Sequence, residues 1–191
     1  MRILRLVDVS TRYFNIPEIE DKHADLSSQG IYELFVKLGA IIPKTFTPSM
    51  KLLGWECKDF IIHPPFINKW CEEKNIPFTS YKDTLKAAID LYRPDFIYVE
   101  RCVQALLDAE FRVELKKEFP FIKALVLRLG AETPDELVPS FKNYDVVFNN
   151  TTKMANQFRC IITPFTFCIR AGADTLPTKA LEHPSTYYDK K

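Results

Sequence analysis

Phosphate-cradling glycines are missing from this chain. It has five glycines in 191 residues, with no GxGxxG after the first apolar run and no Walker A sequence. A nicotinamide or ATP site of standard form is therefore not expected. The five cysteines (Cys57, Cys71, Cys102, Cys160, Cys168) show no CxxC spacing. Odd in number and dispersed, they read as reduced thiols of a cytoplasmic protein. The three histidines, His23, His63 and His183, are too widely separated to suggest zinc. No GxSxG elbow is present. No apolar run approaches the roughly 18 residues a membrane span requires. The opening Met1-Arg2-Ile3-Leu4-Arg5-Leu6-Val7-Asp8 is too short and too charged for a signal peptide, so the sequons within Asn149-Asn150-Thr151-Thr152 read as chance. With a formal net charge of +1, nothing in the bulk electrostatics invites nucleic acid or an anionic membrane.

What is present is a core. Hydrophobic residues make up 47% of the chain and aromatics 13%, the composition of a folded globule. Four short apolar runs each break into polar residues at their carboxyl ends: Phe60-Ile61-Ile62 into His63, Phe96-Ile97-Tyr98-Val99 into Glu100-Arg101, Leu125-Val126-Leu127 into Arg128, and Val146-Val147-Phe148 into Asn149-Asn150. Helical periodicity lies between them. The alternation predicts an α/β, Rossmann-like doubly wound, mostly parallel sheet of about six strands with helices on both faces. Strands are expected at Arg2 to Val9, Glu56 to Ile62, Phe96 to Val99, Ile122 to Leu127, Asp145 to Phe148 and Cys160 to Ile162. Ser27 or Ser28 should cap a helix through Leu38, Ser49 to Leu53 should form a short helix closed by Gly54, and Asp83 should cap a helix through Tyr92. A short helix should open at Thr133-Pro134-Asp135-Glu136 with proline at its first position, and Thr151 or Thr152 should cap another. Residues 1–170 read as one domain and 171–191 as a linker or peripheral segment.

In such sheets ligands bind outside the carboxyl ends of the strands, which selects the candidates. Glu100 is placed to accept a proton from a hydroxyl, and Arg101 beside it to bind a diphosphate or carboxylate. Successive strand residues face opposite ways, so the two cannot share one site unless the strand has ended, and an ion pair with a neighbouring helix is the slightly favoured reading. His63 is a candidate base, since histidine's unperturbed pKa lies near 6.5, or is simply a strand-end residue. Arg128 follows an apolar strand, so its guanidinium must reach the sheet edge or a partner, with contact to a ligand or a domain interface an even alternative. Asn149 and Asn150 bond a hydroxylated ligand or cap the next helix. Asp8, Ser10, Thr11 and Arg12 fall in the loop after the first strand, a usual place for ligand contacts. Trp70, with Phe66 and Ile67, stacks on a sugar or packs in the core. Truncation at polar rim positions should cost under about 0.5 kcal/mol of stability. A phosphoacceptor receiver domain is discounted, because the third strand ends in glutamate rather than aspartate.

Several segments, in order, resemble the amino-terminal half of the spore-maturation CgeB-like family of GT-B glycosyltransferases of surface-polysaccharide pathways. Leu53-Gly54-Trp55-Glu56 through Asn68-Lys69-Trp70-Cys71-Glu72-Glu73 is similar to that family's "L-G-H-E-V" and "Q-K-A-W-A-x-E". Tyr92-Arg93-Pro94-Asp95-Phe96-Ile97-Tyr98 resembles "F-R-P-D-V-V-Y", and Lys142-Asn143-Tyr144-Asp145-Val146-Val147-Phe148 resembles "R-G-Y-D-L-V-L". Met154-Ala155-Asn156-Gln157-Phe158 falls where the family has "F-V-E-R-F", and Leu127-Arg128-Leu129-Gly130-Ala131-Glu132 departs from its polar turn. The resemblance spans roughly residues 27–165. It implies an acceptor-side domain that helps transfer a sugar from a nucleotide-sugar donor to a glycan or other hydroxyl acceptor. It implies no metal and no cofactor bound by this domain, the donor sitting on a second Rossmann-like partner domain, in the same chain or a separate one. With such an activity, the strand-end positions would make Glu100 or His63 the base and Arg12, Arg101, Arg128 and Asn149 the ligand contacts. The other reading is a non-catalytic Rossmann-like binding or docking module.

Overall fold

The computed structural model describes residues 1–7, 9, 25–41, 46–100, 106–130 and 133–168. Six strands form one sheet: β1 (Arg2–Val7), β2 (Glu56–Ile61), β3 (Phe96–Glu100), β4 (Ala124–Leu129), β5 (Val146–Asn149) and β6 (Thr166–Cys168). Their order is β2-β1-β3-β4-β5-β6, and every pairing is parallel. This is the expected doubly wound sheet. Val7, Ile61, Ile97, Val126 and Val147, one from each of β1 to β5, are all buried in it. The order reverses between β1 and β3, so the topological switch point lies at the ends of Val7 and Glu100.

The helices are α1 (Ser28–Lys37), α2 (Phe46–Leu52), α3 (Pro64–Lys74), α4 (Tyr81–Tyr92), α5 (Ala109–Glu118) and α6 (Thr152–Ile161), with a 3₁₀ helix at Asp135–Phe141. Local chemistry sets their ends. The Ser27 hydroxyl accepts the Gly30 amide at the start of α1, and Pro64 and Pro65 open α3 at its first positions. Gly54, at φ +77°, closes the turn after α2.

The two faces of the sheet differ. Leu4, Leu6, Phe60, Ile97, Val99, Leu125, Leu127 and Val147 form the apolar side, where α3 packs Trp70 and Phe66 edge-on to Phe60. Right-handed crossovers put α4, α5 and α6 on that side too. The opposite side carries Ile3, Arg5, Asp59, Tyr98, Glu100 and Arg128 and is crossed by α1 and α2. Beyond α2, Val126, Val146 and Phe148 line an apolar groove of about 290 Å³ with Phe46, Met50, Trp55 and Phe96.

Several expected boundaries move. β4 runs to Leu129, so Arg128 lies within the strand instead of following it. The apolar Cys160–Ile161 pair ends α6, and β6 forms further on at Thr166–Cys168. Ser80, not Asp83, caps α4. Asp83 sits three residues later, where its amide donates to Ser80 Oγ (3.1 Å) and its carboxylate accepts the Ser80 hydroxyl (2.7 Å). Pro134 is the N-cap of the 3₁₀ helix, one place earlier than expected, and Thr151 caps α6 while Asn149 ends β5. The 171–191 segment lies outside the described residues.

Candidate functional site

Four charges of alternating sign cross four adjacent strands on one face of the sheet. Register puts Asp59 (β2) beside Arg5 (β1), Arg5 beside Tyr98 (β3), and Glu100 beside Arg128 (β4). Side chains close the row. Arg5 Nη1 lies 3.5 Å from Asp59 Oδ2, Arg5 Nε 3.3 Å from Glu100 Oε1, and Arg128 Nη1 3.6 Å from Glu100 Oε2. The Arg5 side chain has no exposed surface, and that of Arg128 retains 20%. Desolvating an ion is expensive, and here each charge has an opposite neighbour and the row sums to zero.

Helices seal the buried end of the row. The Tyr32 hydroxyl from α1 donates to Asp59 Oδ2 at 3.0 Å, and the Thr47 hydroxyl from α2 donates to Asp59 Oδ1 at 2.6 Å. Phe46 lies against the Arg5 guanidinium (5.0 Å to the ring centroid) and against Tyr98 (4.4 Å between rings). Burial, reinforced by the Asp59 carboxylate, raises the Tyr32 phenol well above its ordinary value. The other end of the row, Glu100 and Arg128, reaches the carboxyl rim at the switch point.

The predicted residues therefore separate. Glu100 and Arg128 are brought together. Both Glu100 oxygens are engaged by guanidinium groups on neighbouring strands, so its removal touches the buried Arg5 and cannot be as mild as a surface truncation. His63 is buried at the start of α3, its ring edge-on to Phe35 at 5.4 Å. Trp70 is in the core. Arg12 and Arg101, with Asp8, Ser10 and Thr11, lie outside the described residues. Arg5 and Asp59 were missed by pattern reading, although an arginine inside a strand buried on both faces must carry a partner with it.

Asn149 stands apart. It ends β5 on the apolar side of the sheet, in register with Leu129 of β4 and Cys168 of β6, and is 1% exposed. Neither its Nδ2 nor its Oδ1 has a hydrogen-bond partner, and nor does the buried Thr133 Oγ1 in the segment after β4. Unpaired polar groups of this kind cost roughly 1–3 kcal/mol each. The adjacent Asn150 Nδ2 donates to the Gly130 carbonyl at 2.8 Å, tying the β4 and β5 ends together. Among the described residues no three His, Cys, Asp or Glu side chains gather as a metal site would require, and no helix is long and apolar enough to cross a membrane.

Comparison of the chain with protein-family models, with curated proteins and with solved structures finds no match.

Proposed function

We propose that this chain is the acceptor-side half of a GT-B glycosyltransferase, and that the carboxyl rim of β3, β4 and β5 receives a glycan or other hydroxyl acceptor. The observation that carries the reading is Asn149, a buried carboxamide at a strand's carboxyl end with donor and acceptor both unused. A hydroxyl gives and accepts a hydrogen bond, and so complements both atoms. The ordered resemblance to the CgeB-like family supports the same reading. The donor nucleotide sugar belongs on a partner domain, and Arg128, at the edge of the charge row, faces charge that develops between the two.

A binding module without chemistry is the second reading. It is favoured by Glu100, whose two oxygens are both taken up by ion pairs. Incubating the purified chain with nucleotide sugars and hydroxyl acceptors, with and without a donor-binding partner domain, separates the possibilities. The half-enzyme reading expects no turnover by the chain alone and transfer when the partner is supplied. Turnover by the chain alone overturns it. Acceptor binding with no transfer under either condition leaves the binding module.

A further inference from the structure

Two cavities lie away from the rim, along the outer edge of β2. One of about 340 Å³ is bounded by Tyr32, Thr47, Asp59 and Lys51, and a second of about 280 Å³ by Leu4, Phe60, Leu91 and Tyr92. Lys58, Trp70 and Lys74 line both, so the two adjoin.

Their charges are unevenly satisfied. The carboxylates are occupied: Asp59 by Arg5, Tyr32 and Thr47, and Glu73 by the Ser28 amide (2.8 Å) and hydroxyl (2.5 Å). The Ser28 hydroxyl bond, foremost, holds the Glu73 carboxyl below its ordinary value. Lys51, Lys58 and Lys74 form no ion pair with any described residue, and Lys58 Nζ lies 5.9 Å from the Tyr92 ring centroid. Three ammonium groups thus border a groove whose one carboxylate without a basic ion-pair partner, among the described residues, is Glu73, kept ionised in part by Lys74, and its far half is walled by leucine, phenylalanine and tyrosine.

The edge itself does not suit a peptide strand. Hydrogen bonds from Glu56 to Met1 and from Ile62 to Val7 show that even-numbered amides face β1, leaving Cys57, Asp59 and Ile61 to face outward. The Ser28–Glu73 bonds join α1 to α3 around this edge, and the open stretch is too short for strand addition.

We propose that the β2 edge groove is a binding site for an amphiphilic organic anion, with its phosphate or carboxylate head among Lys51, Lys58 and Lys74 and its apolar body along Trp70 and Leu91. Charge complementarity selects the head, and the apolar half rejects a bare ion. The site is independent of the rim and stands or falls without it.

Three probes test it on the 191-residue chain by calorimetric titration: octyl phosphate below its micelle concentration, inorganic phosphate, and neutral octyl glucoside. Octyl phosphate should bind saturably and at least about tenfold more tightly than either other probe. The Lys58→Ala/Lys74→Ala double variant and, separately, Leu91→Ser should each weaken it about tenfold or more, with urea midpoints close to the parent's. All three positions are exposed, so folding is not at stake. No saturable binding, equal binding of inorganic phosphate or octyl glucoside, or indifference to the lysine variant overturns the proposal.

Discussion

A guanidinium without exposed surface has to be neutralised where it stands, and Arg5 is neutralised from both sides by Asp59 and Glu100. Arg5→Ala leaves two buried carboxylates facing each other across β1. The expected loss is about 3–5 kcal/mol, read as a lowered urea midpoint at pH 7, and a loss below about 1 kcal/mol would show the row to be energetically idle. A second buried cation behaves differently. Arg112 of α5 donates to the carbonyls of Lys142 (2.8 Å), Ser140 (2.6 Å) and Leu107, and lies 4.3 Å from the Tyr144 ring centroid. Burial pushes the Tyr144 phenol up to about 12 from 10.0. An unfolded chain releases that proton near pH 10 while the native state holds it, so the native state binds more protons between the two values. Stability should therefore fall as pH rises from about 10 to 12. Tyr144→Phe should flatten that fall while costing little at pH 7, because the hydroxyl has no hydrogen-bond partner. An alkaline profile identical to the parent's would contradict it. Arg5 and Arg112 were hard to see in the sequence because charge normally marks a solvated position. Only the partners, drawn from β2, β3 and the turn after the 3₁₀ helix, make their burial tolerable.

Elements were legible where local chemistry and periodicity agreed. Ser27, Thr151 and Gly54 each take the expected terminal role, and the strands around Ile61, Ile97 and Val147 sit where their apolar runs end. Two of the motifs that carry the family resemblance have a structural reason of their own. Asp95 and Asp145 each stand one residue before a strand, and each accepts a backbone amide of the neighbouring strand: Arg2 of β1 at 2.8 Å and Leu125 of β4 at 2.8 Å. Arg93 ends α4 in the left-handed conformation (φ +53°) with its guanidinium 3.8 Å from the Phe121 ring centroid. Asp145 also holds Lys116 of α5, so Asp145→Ala should cost roughly 1.5–3 kcal/mol in urea unfolding. A cost within experimental error would mean that the clamp is not what starts β5. The strands misplaced by pattern reading failed for a definable reason. The run Cys160-Ile161-Ile162 is apolar enough for a strand, but Cys160 and Ile161 complete the last turn of α6 on its exposed side and Ile162 follows Phe158 by one helical turn, and a helix already formed outcompetes a three-residue strand. β4 slid two residues because Leu129, past Arg128, is as buried as the rest.

At the scale of the molecule, a parallel sheet with its switch point between β1 and β3 gathers Glu100, Arg128 and Asn149 at one end, and that convergence was readable from where the apolar runs stop. What could not be read was how strand alternation sorts them. Glu100 and Arg128 share the charged face with Arg5 and Asp59, while Asn149 points to the other side of the sheet with its carboxamide unbonded. The rim is thus two-sided, ionic on one face and neutral-polar on the other, as a site for a hydroxyl acceptor beside a charged reaction partner would be. The most direct test is an amide-resolved NMR titration of the isotopically labelled chain against a panel of neutral oligosaccharides. The account predicts that at least one of them produces saturable shifts concentrated at Glu100, Arg128, Leu129, Asn149 and Asn150, and that Asn149→Ala abolishes them while the fold persists. Saturable shifts confined to the opposite end of the sheet, around Phe96, Ala124 and Val146, or no saturable shift with any oligosaccharide, would contradict it.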